Sequence, residues 1–195
     1  TRNDNVAGKV KKDDKGITRL KIFLTTKVDG QWTPSRELSF NSDTYSVANP
    51  ALSPDEKTLY FASDMPGPLG ESDIFKVSIN EDGTYGTPEN LGNNINTEGR
   101  ETFPFVTSKS ILYFSSDGHP GLGGLDVFAT KIAHDDYSGT VLNVGEPVNS
   151  NMDDFTFIFN EDNRRGFYAS NRDGGKGGDD IYSFLETRPL EFECN

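Results

Sequence analysis

The sequence predicts an all-β protein built from repeated four-stranded antiparallel sheets. Short aromatic runs recur along the chain at a spacing of about 53 residues, and each run leads into a glycine-rich turn. The composition agrees, because 20 glycines, 14 phenylalanines and 7 tyrosines against two methionines favour short strands joined by tight turns over long helices.

The repeat is clearest in three aromatic segments. Residues 60–75 read YFASDMPGPLGESDIF, and residues 113–128, which lie 53 positions later, read YFSSDGHPGLGGLDVF. These two segments share eight of sixteen residues without a gap. Residues 167–182, a further 54 positions on, read FYASNRDGGKGGDDIY. Downstream positions recur at the same spacing, in the pairs Gly92/Gly145 and Asn96/Asn149.

Each repeat divides into four predicted strands, a to d. In one unit we predict strand a at 103–107, strand b at 111–116, strand c at 126–132 and strand d at 141–144. Strand b is nearly all apolar or small, as expected for a central strand covered on both faces. A period of about 53 with several strands per repeat is typical of a β-propeller blade.

Counting units along the chain predicts a β-propeller, or a partial arc of one, at residues 1–185. Residues 1–45 would be the end of one blade, 46–98 and 99–151 complete blades, and 152–185 a three-stranded blade. The last strand d is missing, which fits a ring closed by a strand from its other terminus or a segment of a longer propeller. Residues 186–195 are predicted to be a linker to a further domain.

Charge and cysteine content exclude several classes of function. The 31 acidic and 19 basic residues give a net charge of −12, which disfavours nucleic acid and anionic membrane surfaces as partners. No run of 18 apolar residues occurs, so we expect a soluble segment that does not span a membrane. With one cysteine, Cys194, neither a disulfide framework nor a cysteine-based zinc site is expected, and no cofactor is predicted.

The glycine-rich loop between strands b and c repeats its polar positions in every unit. An Asp or Asn ends strand b, an Asp nine residues later opens strand c, and a glycine lies between them. The set is Asp64, Gly70 and Asp73; Asp117, Gly123 and Asp126; Asn171, Gly177 and Asp180. We interpret it as a structural turn, in which the first side chain bonds the turn amides, the glycines adopt positive φ, and the second Asp bonds backbone in its own blade.

Two ligand-binding alternatives are less favoured for these loops. Carboxylates are the hard oxygen ligands that Ca²⁺ takes, but the alternating D-x-D-x-D spacing of an EF-hand is absent. The loops resemble phosphate-binding loops only superficially, since no G-x-x-x-x-G-K-[ST] motif occurs. We therefore predict no metal site.

No catalytic residue is predicted. His119 and His134 are the only histidines, and His119 occupies the variable part of a loop, where we expect it to be exposed. Adjacent acids are more often solvated charge than a matched acid and base, as in Asp135/Asp136, Asp153/Asp154 and Asp179/Asp180. Trp32 and Tyr85 occupy equivalent positions before strand d, and we expect both to pack between blades rather than to form a sugar platform.

Several of the repeated segments resemble those of known β-propeller families. Residues 49–77, NPALSPDEKTLYFASDMPGPLGESDIFKV, resemble the WD40-like β-propeller repeat related to TolB, with its S-P-D turn, its aromatic strand and its D-I-[YF] strand. RETFPFV, SSDGHPGLGGLDVF and SNRDGGKGGDDIYSF are similar to propellers of OmpA-family outer-membrane proteins of Bacteroidota. The S-P-D turn is present at 53–55 but not at 107–109 or 160–162, where only the turn character persists.

The resemblance implies a place in the cell envelope, on the periplasmic side of the outer membrane. Members of that family carry the propeller between tetratricopeptide repeats and a peptidoglycan-binding OmpA domain, and some belong to the type IX secretion and gliding machinery. Peptidoglycan binding would then come from a domain outside these residues.

The predicted function is a non-enzymatic protein-interaction scaffold with an envelope protein as partner. Residues that the blade requires recur every 53 positions, so a binding surface is expected where the copies diverge, at the loop tips. The candidate partner-binding residues are His119, Asp135 and Lys176. The alternatives are a carbohydrate-binding or glycan-active propeller, whose enzyme form needs two facing carboxylates at the axis, and a Ca²⁺-stabilised structural domain.

Overall fold

A computed structural model of the chain describes residues 1–6, 9–132, 137 and 139–192. These residues form strands, turns and loops, with no helix among them, and all named strand pairs are antiparallel. The prediction of an all-β chain with antiparallel sheets is confirmed. Within the described ranges, no helix is long and apolar enough to cross a membrane.

Three sheets, which we call A, B and C, form most of the chain. Sheet A contains β9 (Val47–Leu52), β10 (Thr58–Ser63), β11 (Asp73–Ser78) and β12 (Glu89–Asn90). Sheet B contains β13 (Glu101–Val106), β14 (Ile111–Ser116), β15 (Asp126–Lys131) and β16 (Leu142–Asn143). Sheet C contains β17 (Asp154–Asn160), β18 (Arg165–Ser170) and β19 (Asp180–Leu185). In each sheet the strands lie side by side in chain order, as strands a to d in sheets A and B and as strands a to c in sheet C.

The N-terminal region, residues 1–45, contains short strands. They are β1 (Arg2–Asn3), β2 (Asn5–Val6), β3 (Lys9–Val10), β4 (Leu20–Lys21), β5 (Phe23–Leu24), β6 (Lys27–Val28), β7 (Gln31–Trp32) and β8 (Arg36–Glu37). The pairs are β1 with β4, β2 with β3, β5 with β8 and β6 with β7. The Leu38 N–H donates to the Ile22 carbonyl just as the Leu91 N–H donates to the Ile74 carbonyl, so β4, β5 and β8 correspond to strands c and d.

The sheets stack face to face in chain order, because each presents apolar side chains to the next. Phe40 of the N-terminal region stacks on Phe61 of sheet A, with ring centroids 4.9 Å apart. Ile74 of sheet A is buried in one cluster with Phe114 of sheet B. Tyr113 of sheet B stacks on Phe157 of sheet C at 4.5 Å. Each fully buried large side chain contributes about 1.5–3 kcal/mol, so these contacts hold neighbouring sheets together.

Sheet C differs from A and B because its far face is uncovered. The exposed fraction at one position of strand b is 3%, 3% and 50% for Tyr60, Tyr113 and Phe167. At one position of strand c it is 0%, 0% and 81% for Ile74, Val127 and Ile181. The expectation that strand b is covered on both faces therefore holds for β10 and β14 and is wrong for β18, because no further sheet packs on sheet C within the described residues.

Candidate functional site

The linker that follows each strand d contains an asparagine whose side chain bonds the backbone of strand c, as a neighbouring strand would. In the linker after each strand d, an Asn side chain accepts from the N–H of a strand-c residue and donates to the C=O of that residue. The pairs are Asn41 with Ile22 (3.0 and 2.7 Å), Asn96 with Ile74 (2.8 and 3.0 Å) and Asn149 with Val127 (2.8 and 2.9 Å). The 53-residue spacing identifies Asn96 and Asn149, but sequence reasoning missed their role. It also missed Asn41, which lies 55 positions before Asn96 and so falls outside the period.

The aspartate that opens strand c organises the loop before it. Asp73, Asp126 and Asp180 each accept hydrogen bonds from two backbone N–H groups of their own loop. The donors are Leu69 and Gly70 (2.7 and 3.2 Å), Leu122 and Gly123 (2.8 and 2.9 Å), and Lys176 and Gly177 (2.7 and 3.0 Å). These three carboxylates lie in matching positions and are engaged with backbone.

Asp126 is buried with one of its carboxylate oxygens lacking a hydrogen-bond partner among the described residues. It is 1% exposed, and burial raises the pKa of its carboxyl, with smaller opposing contributions from the two backbone donors. Asp73 has a third donor, the Asn90 amide at 2.6 Å, whereas Oδ1 of Asp126 has no hydrogen-bond partner among the described residues.

The residue that ends strand b does not bond the turn amides, contrary to the expectation. Asp64, Asp117 and Asn171 instead accept from the N–H of a residue just before strand a of the same sheet. The donors are Ser46 at 2.5 Å, Arg100 at 2.6 Å and Asp153 at 2.8 Å. The reason is the antiparallel pairing, which places the end of strand b beside the start of strand a.

The recurring glycines of the b–c loops have a different structural role from the one expected. Gly70, Gly123 and Gly177 do not adopt positive φ, so that prediction is wrong. A Cβ on Gly70 would lie 2.3 Å from the Gly99 carbonyl oxygen, and one on Gly123 would lie 2.0 Å from that of Met152. Glycine is needed at those two positions because the linker to the next sheet passes close by. At Gly177 the nearest atom is 3.5 Å away, so the space there is open.

The three candidate partner-binding residues have different surroundings. His119 is half-buried rather than exposed, because its Nε2 lies 2.9 Å from the Ile95 carbonyl oxygen and its ring lies 5.1 Å from that of Phe128. Lys176 is exposed at the tip of its loop. Asp135 lies outside the described residues, as do His134 and Cys194.

Two exposed leucines belong to the same surface and were missed. Leu69 and Leu122 are 48% and 49% exposed, and they occupy the loop position that Lys176 fills in sheet C. The spacing of 53 and 54 residues could have identified them, had apolar tips been considered. The b–c loop tips, which we define as Leu69, Leu122 and Lys176, are thus apolar in sheets A and B and basic in sheet C, on a constant frame.

Trp32 does not pack between sheets, contrary to the expectation. It is 67% exposed at the end of the β6–β7 hairpin, with the Lys27 ammonium 6.0 Å from its ring centroid. The equivalent Tyr85 does pack, with its ring 5.4 Å from that of Phe40. The positional equivalence is right, and the difference arises because Trp32 has no sheet beside it within the described residues.

The a strands of the three sheets line a common groove of about 350 Å³. Each strand carries a β-bulge whose first residue has positive φ, namely Asn49 (52°), Phe103 (50°) and Thr156 (54°). Positive φ in a bulky residue costs on the order of 1–3 kcal/mol and is held by the surrounding pairing. The described lining residues include no carboxylate, histidine or cysteine.

Metal binding has no support from the side chains. Among the described residues, no group of three or more His, Cys, Asp and Glu side chains is arranged to hold a metal ion. The recurring aspartates of the loops already accept backbone hydrogen bonds, which leaves fewer of their oxygen lone pairs for an ion.

No protein-family model matches the chain, and no curated protein matches it. Among solved structures, the chain is similar to α-L-arabinofuranosidase from Lactobacillus brevis, with a TM-score of 0.57 and 14% identity over 96% of this chain and 72% of that one. It is also similar to TolB from Acinetobacter baumannii, with a TM-score of 0.52 and 13% identity over 84% and 34% of the two chains.

A third structure, putative TolB from Agrobacterium tumefaciens, gives a TM-score of 0.49 and 18% identity over 76% of this chain and 49% of that one. The chain therefore spans about half the length of one TolB structure and about a third of the other. TolB is a WD40-like β-propeller family. The likeness to Acinetobacter TolB supports a TolB-like β-propeller fold for this chain.

Proposed function

We propose that the chain is part of a β-propeller that acts as a non-enzymatic protein-interaction scaffold in the bacterial cell envelope. One observation carries the proposal: the polar residues that recur in every b–c loop are engaged with backbone, while the loop tips, two leucines and one lysine, are exposed. Asp73, Asp126 and Asp180 fix the loops, and Leu69, Leu122 and Lys176 are presented to solvent. Such an arrangement suits recognition by a varied surface on a rigid frame.

In this proposal sheets A, B and C are blades of one ring or arc. Their a strands line one groove, and the sheets stack in chain order. The uncovered face of sheet C, with Phe167 and Ile181 exposed, is where a further blade would pack. The predicted boundaries at 1–45, 46–98, 99–151 and 152–185, with a linker at 186–195, belong to the same proposal.

The absence of catalysis is also part of the proposal. A glycosidase on this architecture needs two carboxylates that face each other across the axis. The groove between the a strands offers Asn49, Thr156 and apolar side chains among its described lining residues, with no acid. This supports a binding role over a hydrolytic one.

The cellular context is proposed from the sequence resemblance. RETFPFV and SNRDGGKGGDDIYSF are similar to propellers of OmpA-family proteins, and this resemblance supports the proposal of a location on the periplasmic side of the outer membrane. Its partner would be another envelope protein, and peptidoglycan would be bound through a separate domain. The net charge of −12 favours a partner with a basic surface.

A second candidate function is carbohydrate binding. It is favoured by the 67% exposure of Trp32, because an exposed indole face can stack on a sugar ring. The likeness to an α-L-arabinofuranosidase is compatible with this candidate but shows the fold alone.

The test compares the wild-type chain with a tip variant, Leu69→Glu, Leu122→Glu and Lys176→Glu, in affinity capture from envelope extract of the encoding organism. The matched control carries the same number of acidic substitutions away from the tips, at Gln31, Thr26 and Lys57, which are exposed. We expect the tip variant alone to lose an envelope protein. Equal capture by all three proteins, or hydrolysis of an arabinan or peptide substrate by the wild type, would contradict the proposal.

A further inference from the structure

We infer that the loop before β4 binds an acidic segment of the protein partner, one that carries apolar side chains beside its carboxylates. The inference rests on the proposed scaffold role, because the occupant belongs to the same partner. It adds to that role a second surface and the chemistry of the group that this surface takes. We call residues 9–20 the basic loop.

The basic loop is the main part of the b–c loop of the N-terminal region, and it differs from the loops of the three sheets. Lys21 pairs with Arg2 across the two strands that the loop connects, just as Asp73 pairs with Ser63 in sheet A. Between the paired residues lie 18 positions in the N-terminal region and nine in sheet A. The loop is therefore twice as long, and a lysine takes the place of the aspartate that opens strand c.

The charge of this segment is opposite to that of the whole chain. Residues 9–21 contain six of the 19 basic residues and two of the 31 acidic ones, which gives a net charge of +4 in a chain of −12. The six are Lys9, Lys11, Lys12, Lys15, Arg19 and Lys21. A basic patch of this kind attracts carboxylates locally, although the chain as a whole is acidic.

Two of the six cations hold the loop on the N-terminal region. Lys21 Nζ lies 3.0 Å from Oδ2 of Asp4 and 2.8 Å from Oδ1 of Asp43. Lys11 Nζ lies 2.5 Å from the other carboxylate oxygen of Asp43. These two acids are therefore paired within the region, and they shape the loop that carries the remaining lysines.

A third cation ties the loop to sheet A. Arg19 Nη2 lies 2.8 Å from Oδ2 of Asp13, and Arg19 Nη1 lies 3.0 Å from Oδ2 of Asp64. Asp64 follows β10 and begins the b–c loop of sheet A. The basic loop thus lies next to the start of the loop whose tip is Leu69.

The turn at 13–17 is held in shape by one aspartate. Asp13 Oδ1 accepts from the N–H groups of Lys15 and Ile17, at 3.0 and 2.8 Å. The Gly16 N–H donates to the Asp13 carbonyl oxygen at 3.0 Å, and Gly16 has a φ of 78°. The turn is therefore formed before a partner binds, which reduces the entropy cost of binding.

The other three cations are presented to solvent beside exposed apolar side chains. No ion pair joins any of them to another of the described residues; they are Lys9, Lys12 and Lys15. Val10 and Ile17, in the same loop, are 48% and 46% exposed. One acid, Asp14, is exposed there as well, which leaves the cations in excess. Ammonium and apolar groups on one surface are complementary to a segment that offers carboxylates and apolar side chains together.

A protein segment fits this surface better than an anionic membrane or a nucleic acid. An extended polyanion also meets the acidic remainder of the chain, which repels it. A short segment with a few carboxylates reaches only the basic loop. Its apolar side chains also gain contacts with Val10 and Ile17, which a row of phosphate groups does not offer.

The probe is a short fluorescein-labelled peptide in which Glu alternates with Leu, and its binding to the whole chain is measured by fluorescence anisotropy. We expect saturable binding that weakens when NaCl is raised from about 50 to about 300 mM. A matched peptide in which Gln replaces every Glu should bind at least about tenfold more weakly. Both peptides carry the same apolar side chains, so the comparison isolates the carboxylates.

Variants of the chain locate the binding on the basic loop. The loop variant carries Lys9→Glu, Lys12→Glu and Lys15→Glu and should bind the Glu peptide at least about tenfold more weakly. The control variant has the same net charge and carries exposed substitutions elsewhere, Lys27→Glu, Lys57→Glu and Lys131→Glu. It should stay within about twofold of wild type. Ile17→Ser, which keeps every charge, should weaken binding about threefold.

Several results would overturn the inference. They are a lack of saturation up to millimolar Glu peptide, equal binding of the Glu and Gln peptides, and equal binding by the loop and control variants. Binding of phosphatidylglycerol vesicles in place of the peptide would also overturn it, because the occupant would then be a lipid surface.

Capture from envelope extract separates this inference from the scaffold proposal. We expect the loop variant to retain less of the envelope protein than the control variant does. If the tip variant loses that protein while the loop variant retains all of it, the inference is wrong and the scaffold proposal stands. If neither variant loses it, the scaffold proposal is wrong as well.

Discussion

The guanidinium of Arg172 donates a hydrogen bond to Oδ1 of Asp154 at 2.6 Å, and the Asp154 side chain is completely buried. Arg172 also lies 5.0 Å from the ring centroids of both Tyr168 and Tyr182, which stack on each other. In sheet B the equivalent acid, Glu101, accepts from Ser116 and Thr97, and no arginine among the described residues pairs with it. Asp154 accepts in the same way from the N–H and the hydroxyl of Ser150, at 2.6 and 2.8 Å. Sheet C therefore adds an ion pair to the amide and hydroxyl donors that both sheets use at the start of strand a.

Loss of this ion pair should destabilise the chain. We expect Arg172→Ala to lower the free energy of unfolding by about 3 kcal/mol, because it leaves the Asp154 carboxylate buried without its cation. Urea denaturation measures the loss, with the exposed Arg165→Ala as a control that should stay within about 0.5 kcal/mol of wild type. A loss below 1 kcal/mol for Arg172→Ala would show that water replaces the pair.

The linker asparagines should be more important to stability than their neighbours. Asn149→Ala removes both bonds to Val127 and leaves a buried N–H without a partner, so we expect a loss of about 2–3 kcal/mol. Asn151→Ala, two positions on and exposed, should cost less than about 0.5 kcal/mol. Similar losses for the two variants would mean that the repeated asparagine is not part of the frame.

The two equivalent glycines in sheets B and C should respond differently to alanine. Gly123→Ala places a methyl group 2.0 Å from the Met152 carbonyl oxygen and should destabilise by about 2 kcal/mol or more. Gly177→Ala meets nothing closer than 3.5 Å and should leave the melting temperature within about 1 °C of wild type. Equal effects in thermal denaturation would contradict the different surroundings of these loops.

The contribution of Asp43, in the N-terminal region, to the free energy of unfolding should depend on pH. Hydrogen bonds from Lys11 and then Lys21 lower the pKa of the Asp43 carboxyl from 3.8 to about 2. Because the folded pKa is the lower one, the contribution is present above pH 3.8 and is lost as the pH falls through about 2.

Thermal denaturation across this pH range checks the sign. The difference in melting temperature between wild type and Asp43→Asn should be constant above pH 4 and should shrink towards pH 2. The exposed Asp14→Asn serves as the control and should track wild type throughout. A difference that grows on acidification would show that the assignment is wrong.

Removal of Ca²⁺ should have no effect on the fold. The loop aspartates Asp73, Asp126 and Asp180 already accept backbone hydrogen bonds, so we expect EDTA to change the melting temperature by less than about 1 °C. A fall of several degrees that added Ca²⁺ reverses would support the Ca²⁺-stabilised alternative.

The repeat predicted the fold well because a blade must place the same side chains at the same depth. The aromatic pairs Tyr60/Phe61 and Tyr113/Phe114 lie on central strands as predicted from spacing alone. Strand b was predicted at 111–116 and is found there, paired along its whole length with strand c, while the other predicted bounds differ by one or two residues.

The site was predicted less completely, because its geometry depends on contacts between repeats. Nothing in a single copy shows that Gly70 is needed for a passing linker rather than for positive φ. The partial burial of His119 beside the Ile95 carbonyl likewise depends on which sheet lies next to it, and so does the exposure of Trp32. The bulges at Phe103 and Thr156 break the two-residue alternation and leave no signal in composition or spacing.

We propose that the loop tips form the binding surface. Hydrogen–deuterium exchange of the chain, measured with and without its captured partner, tests this proposal most directly. We expect added protection in the b–c loops, at residues 66–72, 119–125 and 173–178, with little change in the a strands at 47–52, 101–106 and 154–160. Protection confined to the groove between the a strands, with the loops unchanged, would contradict it.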